Sequence, residues 1–185
     1  MTSMQVFEPE GRAVPYAAEG EGPALVLIAD RGLAAEYLEP LAHSVSQEDF
    51  RVVRIGLREG AIDDLAQDVV DVMDLLDIDD AWVGGHGAGG SIARQLSLVH
   101  HARVNGVLLL GVEAPEAAPP LAEGVPVLVI QGTADDVTPP GNGDALRASA
   151  PGLVSVVPIE GGEHMFPATH VGATSWAIED YLDWD

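Results

Sequence analysis

The residues with most chemical content are Gly85-His86-Gly87-Ala88-Gly89-Gly90-Ser91. An apolar stretch runs into glycines at alternate positions, Gly85, Gly87 and Gly89, and then into a helical pattern. This is the frame Gly-x-Ser-x-Gly, a sharp strand-to-helix turn that raises a serine hydroxyl for attack on a carbonyl carbon. The serine position is filled by Gly87, which has no side chain to attack with. Ser91 does not replace it, because four residues further on it lies about 6 Å along the helix axis. The same letters fit a second chemistry, Gly-x-Gly-x-x-Gly through Gly85, Gly87 and Gly90, whose backbone N–H groups cradle a dinucleotide pyrophosphate. That fingerprint opens its domain and wants an acid about 20 residues on. Here at least three strands precede it, and Glu113 comes slightly late.

Other groups read more simply. Asp64, Asp68, Asp71 and Asp74 recur at spacings of three and four, which places them along a solvated helix face; a calcium loop needs a glycine-bearing turn instead. His100 and His101 follow a helical run, where a cation at the C-terminus is favourable, and are read as caps.

The elements that must position the turn alternate between strand and helix. Residues 4–7 and 12–18 predict an opening hairpin. Residues 24–29 form a continuous apolar run, the signature of a strand buried on both faces. A helix is predicted over 34–46 and a strand over 50–55. Over 63–77, Leu65, Val69, Val72, Met73 and Leu76 recur at helical spacing. Strands follow at 81–84, 104–110, 125–130 and 153–158, with helices at 88–100, 143–150 and 172–182. Such alternation predicts an α/β fold, a mostly parallel twisted sheet with helices on both faces. No internal repeat is evident, and residues 1–185 read as one domain.

Composition narrows the function classes. The 30 acidic residues against 8 basic ones give a net charge of −22, and every basic residue is an arginine. Nucleic acid and anionic membranes are repelled by such a field. The charge is spread along the chain, so it reads as surface adaptation rather than a patch for a cationic partner. Cysteine is absent, which removes disulfides and thiol chemistry. The apolar runs are strand-sized, too short to cross a membrane, and a cytoplasmic location is the expectation.

Most of the chain resembles the α/β-hydrolase fold. Residues 65–111 are similar to that family's helix, elbow strand, elbow, helix and following strand. Residues 125–184 resemble its C-terminal part through Gly132, Asp135 and Pro139, then Gly-Gly-Glu-His-Met-Phe-Pro around His164. The resemblance implies that Asp135, with Asp136 second in line, is the triad acid, and that His164 is the histidine it orients, in the chain order elbow, acid, histidine. An aspartate bonded to one ring nitrogen leaves the other free as a base. The resemblance also makes His86 a packing residue beside the elbow. It calls for no cofactor and no metal.

The chain departs from the family at Gly87 and again after residues 24–28. There the family carries His-Gly, opening a loop that helps form the oxyanion hole. This chain has Ala29-Asp30-Arg31-Gly32. A carboxylate there opposes a developing oxyanion, whose donors are usually worth roughly 2.7–4 kcal/mol each; Arg31 is expected to be exposed. Ala29, Asp30, Arg31, His86 and Ala88 thus outline the expected pocket. About a dozen residues, 113–124, stand where family members insert a helical cap, a normal loop length, so the pocket is expected to be shallow and open. Together these features predict a catalytically impaired relative of carboxylester hydrolases that binds a small molecule or a partner. Two alternatives stay open: a weak hydrolase or lyase using an Asp135–His164 dyad as general base, and a dinucleotide module. A homodimer is compatible with the sequence.

Overall fold

The computed structural model describes residues 3–182; Met1 at one end and Trp184, where the family-like stretch closes, lie outside the described residues. β1 (Gln5–Phe7) and β2 (Val14–Glu19) form the opening hairpin, and β3 (Ala24–Ile28) follows. A 3-10 turn over Ala35–Leu38 leads into α1 (Glu39–Ser46). The single helix expected over 34–46 is thus split. Pro40 falls in the first turn of α1, where its missing N–H is harmless, and its ring disfavours helical geometry before it. Then come β4 (Arg51–Ile55), α2 (Ile62–Leu75), β5 (Ala81–His86), α3 (Ala88–Val99), β6 (Val104–Leu110), β7 (Val127–Gly132), α4 (Pro140–Ser149), β8 (Val154–Ile159), α5 (Phe166–Thr169) and α6 (Val171–Leu182). The four-residue α5 has no counterpart in the sequence reading.

Eight strands form one sheet in the order β1-β2-β4-β3-β5-β6-β7-β8. The first two run antiparallel and the other six are parallel, the architecture expected from the alternation. Side-chain alternation divides the apolar strands into two cores. Val26, Ile28, Val83, Val107 and Leu109 pack with Val69, Met73, Ile92 and Leu96 from α2 and α3. Leu25, Leu27, Leu108, Leu110 and Ile130 face the other way, onto Leu41 and Val45 of α1, Phe166 of α5 and Ile178 of α6. With both faces covered, the carboxyl ends of β3, β5, β7 and β8 are left to carry loops, where such sheets build sites. No helix among the described residues is long and apolar enough to cross a membrane.

One expected surface residue is inside. The helical spacing places Asp68 on the wet face, yet it is buried at 3% exposure. Its carboxylate is paired with Arg12 and, at 2.7 Å, with Arg58 Nε. The periodicity could not show this, because both partners come from outside the helix. Breaking a buried ion pair strands the remaining charges. Asp68→Asn is therefore expected to lower unfolding free energy by about 2–4 kcal/mol, whereas exposed Asp64→Asn should stay within about 0.5 kcal/mol. Urea unfolding of both variants checks the contrast.

Candidate functional site

The strand-to-helix turn is built by close approach. Gly87 sits between β5 and α3 at φ 54° and ψ −114°, a left-handed conformation that glycine adopts without strain. Its N–H donates to Leu110 O at 3.1 Å, tying the tip to β6. A Cβ on Gly89 would lie 2.3 Å from Ile28 O, so α3 can lie against the end of β3 only with glycine there. This contact places the residues after β3 at the tip of the turn.

Asp30 folds onto that tip. Both of its carboxylate oxygens lie 2.7 Å from the point where a Gly87 Cβ would be. Oδ1 accepts the Ala88 N–H at 3.0 Å and the Arg31 N–H at 2.7 Å. Oδ2 lies 2.7 Å from His164 Nε2. A carboxylate at the first N–H of a helix gains from the unpaired amide and the helix dipole together.

The other side of His164 meets a second carboxylate. Asp135, in the loop after β7, is buried. It accepts N–H bonds from Val137 and Thr138, both 2.9 Å, and the Thr138 hydroxyl at 2.7 Å. His164, in the loop after β8, places Nδ1 3.1 Å from Asp135 Oδ2. Both ring nitrogens thus face carboxylate oxygens, and only the imidazolium can donate to both. Its pKa is raised, first by the hydrogen bond to Asp30, against the opposing effect of burial, and further by Asp135. Burial pushes the two aspartates up, but hydrogen bonds outweigh it and both carboxyls end below their ordinary value: His164, Ala88 N–H and Arg31 N–H act on Asp30, and Thr138, His164 and Val137 N–H on Asp135.

His86 supports this arrangement from below. It is fully buried and stacked on His164 with ring centroids 4.3 Å apart. Its Nε2 lies 2.7 Å from His164 O and its Nδ1 2.8 Å from the Tyr37 hydroxyl. The carbonyl can only accept, so Nε2 carries the proton and Nδ1 accepts from Tyr37, whose oxygen takes the Asp30 N–H at 2.9 Å. Burial, then the neighbouring His164 charge, pushes His86 down to about 4, keeping it neutral. Asp30, His86 and His164 each bring one ligand atom within 4.8 Å of the others. The two rings are stacked at 28°, however, so their lone pairs run side by side rather than converging on one ion, and every one of these groups already has a hydrogen-bond partner.

The structure therefore brings Gly87, Ala88, Asp30, His86, Asp135 and His164 into one cluster. Ala29 is buried behind it, its N–H donating to Ile55 O. Arg31 is exposed and lines a cleft of about 560 Å³ beside Ala88, walled by Leu57, Ile62, Leu65 and Ile92. Asp136 stands exposed at a second cleft of about 420 Å³, at the mouth of His164. Ser91 points away from the turn tip and donates to Glu113 at 2.6 Å. His101 reaches Glu123 O at 3.3 Å rather than a carbonyl of α3. Sequence reasoning missed Tyr37 and Thr138. Thr138 has a local signal, a hydroxyl three residues after an aspartate that can close a turn back on it. Tyr37 has none, since its partners Asp30 and His86 meet it only through the fold.

A family model described as the alpha/beta hydrolase family matches residues 31–171. Among solved structures, a predicted CIB-like hydrolase from Thermoplasma acidophilum superposes with a TM-score of 0.83 at 13% identity, covering 98% of each chain. A thermophilic esterase from Thermogutta terrifontis gives 0.84 at 16% identity, again covering 98% of each. A bromoperoxidase from Bacillus anthracis gives 0.84 at 15% identity over 99% of this chain and 100% of the other. At such identities the likeness extends to the fold.

The coupled carboxylates and imidazolium fix a pH signature. A carboxyl with a lowered folded pKa stabilises above its unfolded value and loses that contribution as pH falls through the folded one. A histidine with a raised pKa stabilises fully below its unfolded value near 6.5 and loses that contribution as pH rises through the folded one. The Asp30–His164 pair is therefore strongest between these limits, in mildly acid solution. Asp30→Asn should cost about 1–3 kcal/mol there, the scale of a charge-assisted hydrogen bond. The difference from the parent should shrink toward strong acid and toward alkaline pH, as read by thermal or urea unfolding across pH.

Proposed function

This chain belongs to the α/β-hydrolase family, and we propose that it is a ligand-binding member in which an internal carboxylate has replaced the nucleophile. The observation that carries this reading is the seat of Asp30, at once against the Gly87 tip, on the Ala88 N–H and on His164 Nε2. Each contact removes a different part of acyl transfer. Gly87 supplies no attacking atom, and losing a triad serine costs on the order of 10⁶ in rate in a protease. The N–H after the nucleophile position, which stabilises an oxyanion in this fold, is taken by an anion. His164, held between two carboxylates, has no free lone pair with which to accept a proton. The bound species would be a small molecule in the cleft of about 560 Å³ next to the elbow, a size within the usual range for ligand sites.

A second reading, weak general-base catalysis, survives in altered form. With His164 protonated, the basic group is Asp30, whose side chain is 16% exposed. Acid–base help of this kind typically gives only ~10²–10⁴-fold. A dinucleotide is disfavoured because its pyrophosphate would compete with Asp30 for the N-terminus of α3; NAD, NADP and FAD should leave the melting temperature unchanged.

Short-chain nitrophenyl esters test the main reading. The parent protein should hydrolyse them no faster than His164→Ala. Gly87→Ser alone should stay inactive, since its Cβ would meet the Asp30 carboxylate. Gly87→Ser combined with Asp30→Gly should gain a His164-dependent acyl burst. Hydrolysis by the parent that disappears in His164→Ala overturns the reading, and activity that instead disappears in Asp30→Asn selects the general-base alternative.

A further inference from the structure

Seven of the eight arginines are easily placed. Arg12, Arg58, Arg103 and Arg147 pair with aspartates, Arg51 and Arg54 donate to main-chain carbonyls, and Arg31 is exposed. Arg94 is different. It lies on α3 and is 5% exposed; among the described residues its guanidinium makes no hydrogen bond or ion pair, and its buried Nε has no acceptor. A guanidinium carries five donors, and burying it unpaired is costly. In a chain with 30 acidic residues, a buried arginine left without a carboxylate partner calls for one from elsewhere.

Arg94 lines a cavity of about 600 Å³ with apolar walls such as Leu121, Leu146 and Leu153, and two carboxylates, Glu113 and Glu123, line it as well. The cavity has a structural origin. The connection from β6 to β7 carries only a 3-10 turn, Pro115–Ala117, so no helix fills the space between α3 and α4 on that face of the sheet. Of the two carboxylates, Glu113 acts on Arg94 through charge but accepts a hydrogen bond from the Ser91 hydroxyl. Arg94 is the cation of this lining, and beside the leucines it complements a molecule with an apolar body and an anionic head.

We propose that this cavity binds a small apolar carboxylate, its head on the Arg94 guanidinium and its body against Leu121, Leu146 and Leu153. A planar carboxylate matches the guanidinium fork with two parallel N–H···O bonds. This site lies apart from Asp30 and His164 and stands independently of the function proposed above.

Octanoate and its uncharged analogue octanamide are the probes, titrated into ¹⁵N-labelled full-length protein and followed by amide shifts and calorimetry. Octanoate should bind saturably, perturbing residues around Arg94, Leu121 and Leu146, at least about ten-fold more tightly than octanamide, the scale of one charge-assisted pair. Arg94→Met should abolish the preference for the acid. Glu113→Gln, which removes the nearby negative charge and leaves Arg94 in place, should tighten octanoate several-fold, so the proposal stays testable if Arg94→Met does not fold. It is overturned by the absence of saturable binding, by equal affinity for octanamide, or by shifts confined to the residues around Asp30 and His164.

Discussion

A carboxylate can remain ionised against a strand-to-helix turn only if something donates to each of its oxygens. Asp30 meets that demand with two backbone N–H groups on Oδ1 and the His164 ring on Oδ2. The rest of the site follows from this constraint. An anion there draws a proton onto His164, the imidazolium is steadied by Asp135 from its other side, and the neighbouring His86 must stay neutral beneath it. His86 can do so because Tyr37 donates to one nitrogen and a carbonyl accepts from the other. The same tyrosine oxygen receives the Asp30 N–H, so the network closes on the residue it starts from.

The scaffold makes this possible by bringing distant segments to one edge. Parallel register between β3 and β5 pairs Ile28 with Gly85, and the glycines of the turn allow α3 to rest on the end of β3. A larger residue at Gly89 would push α3 away and separate Ala88 from Asp30. The carboxyl ends of β7 and β8 bring Asp135 and His164 to the same edge. Both cores are apolar, and Asp68, buried beside one of them, is held by Arg12 and Arg58; Arg94 on α3 is the buried charge without such a partner among the described residues.

The fold was largely legible in the sequence because its signals are local. The apolar run at 24–28, the periodicity of α2 and the glycine spacing at 85–89 each define an element without help from the rest of the chain. Pro40 was visible too, but the helical pattern around it concealed that the turn before it is 3-10. The burial of Asp68 and the roles of Tyr37 and Thr138 depend on contacts between segments, which periodicity does not encode. Asp30 is the clearest case. Its sequence neighbourhood showed that an oxyanion loop had changed, but not that the carboxylate occupies the space above Gly87. That depends on a turn and a helix more than fifty residues away.

The protonation state of His164 tests this account most directly. Two-bond ¹H–¹⁵N correlation spectra of the ring, recorded at about pH 7, above the ordinary histidine value, distinguish the imidazolium from either neutral tautomer. The account predicts that both ring nitrogens of His164 resonate as protonated, with a midpoint above the ordinary value, and that Asp30→Asn lowers that midpoint. An unprotonated Nε2 at this pH, titrating at or below the ordinary value in the parent protein, would contradict it.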